Sequence, residues 1–265
     1  EVIVQSEKYM KQRLDNKEVI PFRLAKKSRV ISVCSAKGGI GRTTVVTNLA
    51  TALTKSGEEV VVIDADLQFG DVAVFYDLKP KLTIYEWVKE GYGRKGFSVT
   101  KYLTEHESRV SVLAAPPRPE FFEILTDEHL TTAITELKKK YTTIIIDMPS
   151  YLSEIHVACL SQSDDILLLT TSELPVLRST KLYIDTLETL QQSDKLKLVV
   201  NKEPKSKVIE TNQIESMLGQ GVFATLPNQE TLVKTSINEG VPLCVSHIRS
   251  PFSKSFLALS SKLTV

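Results

Sequence analysis

Arg29-Val30-Ile31-Ser32-Val33-Cys34-Ser35-Ala36-Lys37-Gly38-Gly39-Ile40-Gly41-Arg42-Thr43-Thr44 decides how this chain is read. The apolar, β-branched run 29–34 reads as a strand. Glycines 38, 39 and 41 follow, and residues 43–55 can form a helix. Strand, glycine loop and helix, in that order, make a setting that binds phosphate. Glycine has no Cβ, so the backbone folds tightly and aims its N–H groups at anion oxygens. The helix start adds partial positive charge at the same place. Two departures from the pattern G-x-x-x-x-G-K-[ST] stand out. Ala36 occupies the first glycine position, with Lys37 just before the glycine pair, and Arg42 replaces the lysine before the threonine. Arginine keeps the charge but is larger, planar and forked.

The flanking sequence has ordinary globular composition: 265 residues, 42% hydrophobic and 25% charged, enough for one large α/β domain. A net charge of +1 gives no bulk attraction to nucleic acid or anionic lipid. Cys34, Cys159 and Cys244 lie in apolar stretches without C-x-x-C spacing, which predicts buried, inert thiols and suits a reducing cytoplasm. His106, His129, His156 and His247 form no ligand pattern. No apolar run reaches membrane-spanning length, and no signal peptide is visible. Residues 1–28 are charged and read as a linker or N-terminal extension, with a partner- or membrane-binding arm as the alternative. The nucleotide-binding domain is expected over 29–265.

Strands are predicted at 59–63, 109–114, 142–146, 166–169, 197–200 and 222–225. Helices are predicted at 127–140, 175–191 and 228–239. Apolar strands without polar alternation, separated by helices, predict an α/β fold. Its sheet is mostly parallel and covered by helices on both faces. Ligands of such sheets bind at the carboxyl ends of the strands.

Acids stand where those strands end. Asp64 and Asp66 follow the second strand, and Asp147 closes Thr143-Ile144-Ile145-Ile146. An apolar strand delivering one acid is the Walker B pattern, which faces magnesium. The hydroxyl of Thr43 is the expected direct magnesium ligand, with Asp147 acting through a water. Asp66 is placed to position or deprotonate an attacking water. The bland reading of each acid is a cap or turn residue after a strand; together, around one loop, they favour chemistry.

The loop resembles the deviant Walker A loop of the MinD/ParA superfamily of P-loop NTPases. The stretches Asp66-Leu67-Gln68-Phe69-Gly70-Asp71-Val72-Ala73-Val74, Leu113-Ala114-Ala115-Pro116-Pro117-Arg118-Pro119-Glu120, Ser172-Glu173-Leu174-Pro175-Val176-Leu177-Arg178 and Ile237-Asn238-Glu239-Gly240-Val241-Pro242-Leu243 resemble its CpaE/TadZ branch, associated with Flp/Tad pilus assembly. The resemblance runs from Arg29 to the C-terminus. It implies an ATP- and magnesium-dependent homodimer, with ADP after hydrolysis, that positions or assembles a pilus or secretion machine and hydrolyses ATP slowly. Gly38, Gly39, Ile40, Gly41, Arg42, Thr43 and Thr44 would hold the phosphates. Lys37 would reach across the dimer to the partner's nucleotide. Asn201 would read the adenine edge, and Pro227 would pack on the base. The resemblance further implies a receiver-like domain ahead of Glu1, a cytoplasmic protein, and recruitment to the inner face of the membrane or a pole.

The competing reading is a MinD/ParA ATPase that cycles on membrane or DNA; a pure interaction module with a dead site is a third. A DNA-binding relative should show a basic cluster, and none is evident. Phe252, Phe256, Leu259 and Leu263 recur at helical spacing in the tail, which predicts a helix packed on the domain, with a lipid anchor as the alternative.

Overall fold

A computed structural model describes residues 27–206 and 208–264. The linker reading therefore falls almost wholly outside the described residues. Eight strands form one sheet: β1 (Arg29–Ser35), β2 (Val60–Asp64), β3 (Thr104–Glu105), β4 (Ser111–Leu113), β5 (Thr143–Asp147), β6 (Asp165–Thr170), β7 (Leu196–Glu203) and β8 (Val222–Pro227). Their order is β3-β4-β2-β5-β1-β6-β7-β8. Every pairing is parallel except β3 with β4.

Strand β1 sits between β5 and β6, in register Val30 to Ile144 and Ser32 to Ile166. The chain leaves β1 toward one side of the sheet and later fills the other. Strand order thus reverses at β1, the place where open α/β sheets bind ligands. The loop predicted from sequence lies there.

Helices of eight residues or more are α1 (Arg42–Lys55), α2 (Asp127–Leu137), α3 (Glu154–Gln162), α4 (Leu174–Thr189), α5 (Thr211–Leu218), α6 (Glu230–Glu239) and α7 (Pro251–Leu263). They divide between the two faces of the sheet. Val30 and Cys34 of β1, with Ile144 and Ile146 of β5, pack with Leu130, Leu160 and Leu177. The intervening residues Ile31, Val33 and Ile145 pack with Val45, Leu49, Phe256 and Leu263. Successive side chains of a strand point to opposite faces. Both faces are covered, so both sets must be apolar and the polar alternation disappears.

The tail helix behaves as expected. Phe252, Phe256, Leu259 and Leu263 are all buried, against α1 and β8. Full burial of a side chain of this size is worth about 1.5–3 kcal/mol. Lifting α7 away would expose the apolar surface of α1 and β8 that these four side chains cover. Among the described residues, no helix is long and apolar enough to cross a membrane. Cys34, Cys159 and Cys244 are free and buried, and burial pushes each thiol up to about 12.

Some expected elements differ. The strand expected over 109–114 shortens to β4, because Arg109 takes a positive φ of 67° in a turn. Its amide donates to the His106 carbonyl at 2.8 Å. The helix expected over 127–140 stops at Leu137, where residues 138–140 turn. The helix expected from 228 begins at Glu230, which leaves Asn228 in a loop. Helices α3 and α5 had no sequence expectation; each is short and lies between stronger signals.

Candidate nucleotide site

Gly41 ends the loop and begins α1. It sits in the left-handed region at φ 94°, with no side-chain cap and no acid in the first turn of α1. The first N–H groups of a helix have no intrahelical partner. Here they meet a cavity of about 680 Å³. Lys37, Thr43, Thr44, Lys202, Pro204, Pro227 and Asn228 are among its lining residues. The positive φ strains any side chain at Gly41, and a Cβ there would also stand 2.8 Å from Asn201 Nδ2. The cavity brings the uncapped start of α1, which favours an anion, together with prolines that offer apolar surface.

Two of the strand-end acids, Asp66 and Asp147, lie beside the start of α1. Thr43 Oγ1 donates to Asp147 Oδ2 at 2.7 Å. That places two hard oxygens side by side at the mouth of α1, a donor set that fits magnesium. Asp147 is buried, and burial pushes its carboxyl up to about 6, while the Arg42 guanidinium and the Thr43 hydroxyl pull it back. Asp66 is partly exposed nearby.

Arg42 was expected among the phosphate-holding residues. Its guanidinium instead faces the acids: Nε donates to Asp147 Oδ1 at 3.4 Å and one terminal nitrogen to Asp66 Oδ2 at 3.3 Å. The other terminal nitrogen donates to Ser35 Oγ at 3.0 Å, and Ser35 in turn donates to the Lys37 carbonyl at 2.8 Å. Spacing along the chain could not show this, because Asp147 lies 105 positions away.

Asp64 is not open to the cavity as a reactive group. Its buried carboxyl accepts from the Val72 amide at 3.1 Å and the Asp66 amide at 3.3 Å. Burial, then the neighbouring Asp147 charge, raises its proton affinity well above the ordinary carboxylate range. It braces the loop that carries Asp66. Gly70 makes room for it, since a Cβ there would lie 2.4 Å from both carboxyl oxygens. Gly70→Ala is expected to lower stability by about 1–3 kcal/mol through this clash. Urea unfolding measures it, and an unchanged midpoint would show that Asp64 yields freely. The doublet Asp64-Ala65-Asp66 announced acids in the sequence, but not this division of labour.

Asn201 and Lys202 grip the loop from behind. Asn201 Nδ2 donates to the Ile40 carbonyl at 2.7 Å, and Lys202 Nζ to the Gly39 carbonyl at 2.8 Å. Asn201, expected at the adenine edge, is here buried against the loop. Lys202 has a positive φ of 54° and was not singled out from the sequence. Lys37 is exposed and borders both the cavity and a shallow groove of Leu174, Arg178 and Leu182 on α4. Gly38 and Gly39 have open space around them.

Similar proteins agree with this architecture. The septum site-determining protein MinD of Thermotoga maritima is 28% identical over 241 residues, covering 88% of this chain and 87% of its own. That of Bacillus subtilis is 25% identical over 222 residues, covering 81% of each. A ParA family ATPase from Chlorobium tepidum TLS superposes with a TM-score of 0.83 at 20% identity, over 90% of this chain and 99% of that one. MinD of Pyrococcus horikoshii OT3, complexed with Mg-ADP, superposes with a TM-score of 0.77 at 22% identity, over 89% and 96%. The sequence pattern of a family described as an AAA domain matches residues 28–200. With that match over most of its length, the chain belongs to the AAA domain family, within the MinD/ParA superfamily of P-loop ATPases.

Proposed function

We propose that this chain binds ATP with magnesium in the cavity at α1 and dimerises face to face over it. In this reading it positions or assembles a pilus or secretion machine in the manner of the CpaE/TadZ branch, with slow hydrolysis. One observation carries the nucleotide reading. The uncapped start of α1, with Thr43 and Thr44, lines one cavity together with Lys202, Pro204 and Pro227, and Thr43 is hydrogen-bonded to the buried Asp147. The loop N–H groups would bind the phosphates, and Asn201 and Lys202 would keep the loop in shape for them. Thr43 and Asp147 would hold magnesium, which supplies charge to the phosphates when bound. Asp66 would orient water. Pro204, Pro227 and Asn228 would flank the base.

The branch assignment rests on the stretches at 66–74, 113–120, 172–178 and 237–243. The packed α7 supports it over a reading in which the tail anchors the chain to lipid. MinD of Aquifex aeolicus has been solved as a MinC:MinD complex, a precedent for partner binding in the superfamily.

Calorimetry tests the nucleotide reading. Magnesium is expected to strengthen ATP binding by wild type, and Thr43→Ala to remove most of that gain. Loss of a hydrogen bond or ligand to a charged group costs about 1.5–3 kcal/mol, roughly ten- to a hundredfold in affinity. Equal affinity with and without magnesium, in wild type and variant alike, would sink this reading.

A further inference from the structure

Position 42 carries a fork where the loop pattern has a point charge, and the fork is fully engaged. The Arg42 side chain is 12% exposed, and Asp147, one of its partners, is 1% exposed. Its nitrogens reach Asp66, Asp147 and Ser35 together. A lysine ammonium is compact and cannot span three such partners from one stem. The guanidinium also lies beside the Thr43–Asp147 pair, the two hard oxygens suited to magnesium.

We propose that Arg42 is a built-in counter-cation that occupies the space between Asp66 and Asp147 in the nucleotide-free chain, so that a divalent cation enters only together with a nucleotide phosphate that draws Arg42 off the acids. This rests on the nucleotide reading above. A buried carboxylate left without a partner is strongly unfavourable, so Asp147 needs a cation at every stage. Before nucleotide arrives, that cation is Arg42. A divalent ion arriving alone would have to sit beside a fixed guanidinium in a poorly solvated site, and like charges repel strongly there. A triphosphate changes the balance, because its oxygens offer Arg42 a new bidentate partner at the uncapped start of α1. The two cations then exchange places. Ser35 accepts from Arg42 and donates to the Lys37 carbonyl, so Arg42 and the loop residue expected to reach the partner share one hydrogen-bond chain.

The test is Mn2+ titration of nucleotide-free protein, with free Mn2+ followed by electron paramagnetic resonance. Wild type is expected to take up little. Arg42→Gln, which removes the charge, is expected to bind Mn2+ at least about tenfold more tightly. Arg42→Lys should fall between them, and it provides the comparison if Arg42→Gln fails to fold by circular dichroism. Wild-type uptake as tight as that of the variants would overturn the proposal, as would a folded Arg42→Gln that takes up no Mn2+. A fluorescent ATP analogue, titrated into the same wild-type sample, judges the nucleotide reading separately. Absent analogue binding counts against that reading, whereas the Mn2+ comparison counts for or against Arg42.

Discussion

Lys37→Ala is expected to leave ATP binding to a single chain nearly intact and to abolish the ATP-dependent dimer. Lys37 is exposed at the edge of the loop, and its side chain borders the cavity without any ion pair among the described residues. Its backbone is held from below by Ser35, so the substitution should not collapse the loop. The groove beside it carries Leu174 and Leu182, each 61% exposed, with Arg178 between them. A second copy facing the loop would cover these residues and bring each Lys37 near the other nucleotide. A lysine buried against phosphate across such an interface is a desolvated charge pair. Truncating one partner of such a pair costs about 2–5 kcal/mol, which weakens association roughly thirtyfold or more. Light scattering with a slowly hydrolysed ATP analogue measures this. An undiminished dimer in the variant would refute the trans contact, and a wild type that stays monomeric at high concentration would refute the dimer.

Arg42→Lys is expected to raise ATP turnover from a low wild-type level. The physical reason has two parts. Catalysis requires interactions that are stronger in the transition state than in the ground state. A compact lysine can follow the developing charge on the transferred phosphoryl group, whereas the planar fork needs more room. The second part comes from the fold: in the nucleotide-free chain the Arg42 fork holds Asp66, the acid expected to orient water, and must leave it before turnover. Lysine reaches fewer partners and would free it. A gain of about tenfold corresponds to roughly 1.4 kcal/mol of barrier. Steady-state phosphate release reads it out, with and without lipid vesicles. Brisk wild-type turnover that drops in Arg42→Lys would reverse the sign of the argument and favour a cycling ATPase of the MinD/ParA kind.

The sequence by itself determined the fold and the place of the glycine loop within it. Runs such as Val60-Val61-Val62-Ile63 and Ile144-Ile145-Ile146 are apolar at every position, and only a sheet covered on both faces can bury them. The glycines at 38, 39 and 41 sit between a strand and a helix, a local pattern that needs no distant partner to be read. Thr43 and Asp147 were legible for the same reason, since each stands at a fixed point of a local motif. Tertiary structure alone decided which partners the charged and polar side chains take. Arg42 chooses Asp66, Asp147 and Ser35 over the phosphate loop. Asp64 becomes a brace because Gly70 leaves room for it. Asn201 and Lys202 hold carbonyls more than 160 positions earlier in the chain. Backbone periodicity is set by neighbours along the chain, so it can be read from sequence. A buried polar group takes whichever partner the packed elements bring within hydrogen-bond reach, because leaving it unpaired costs more than almost any local preference.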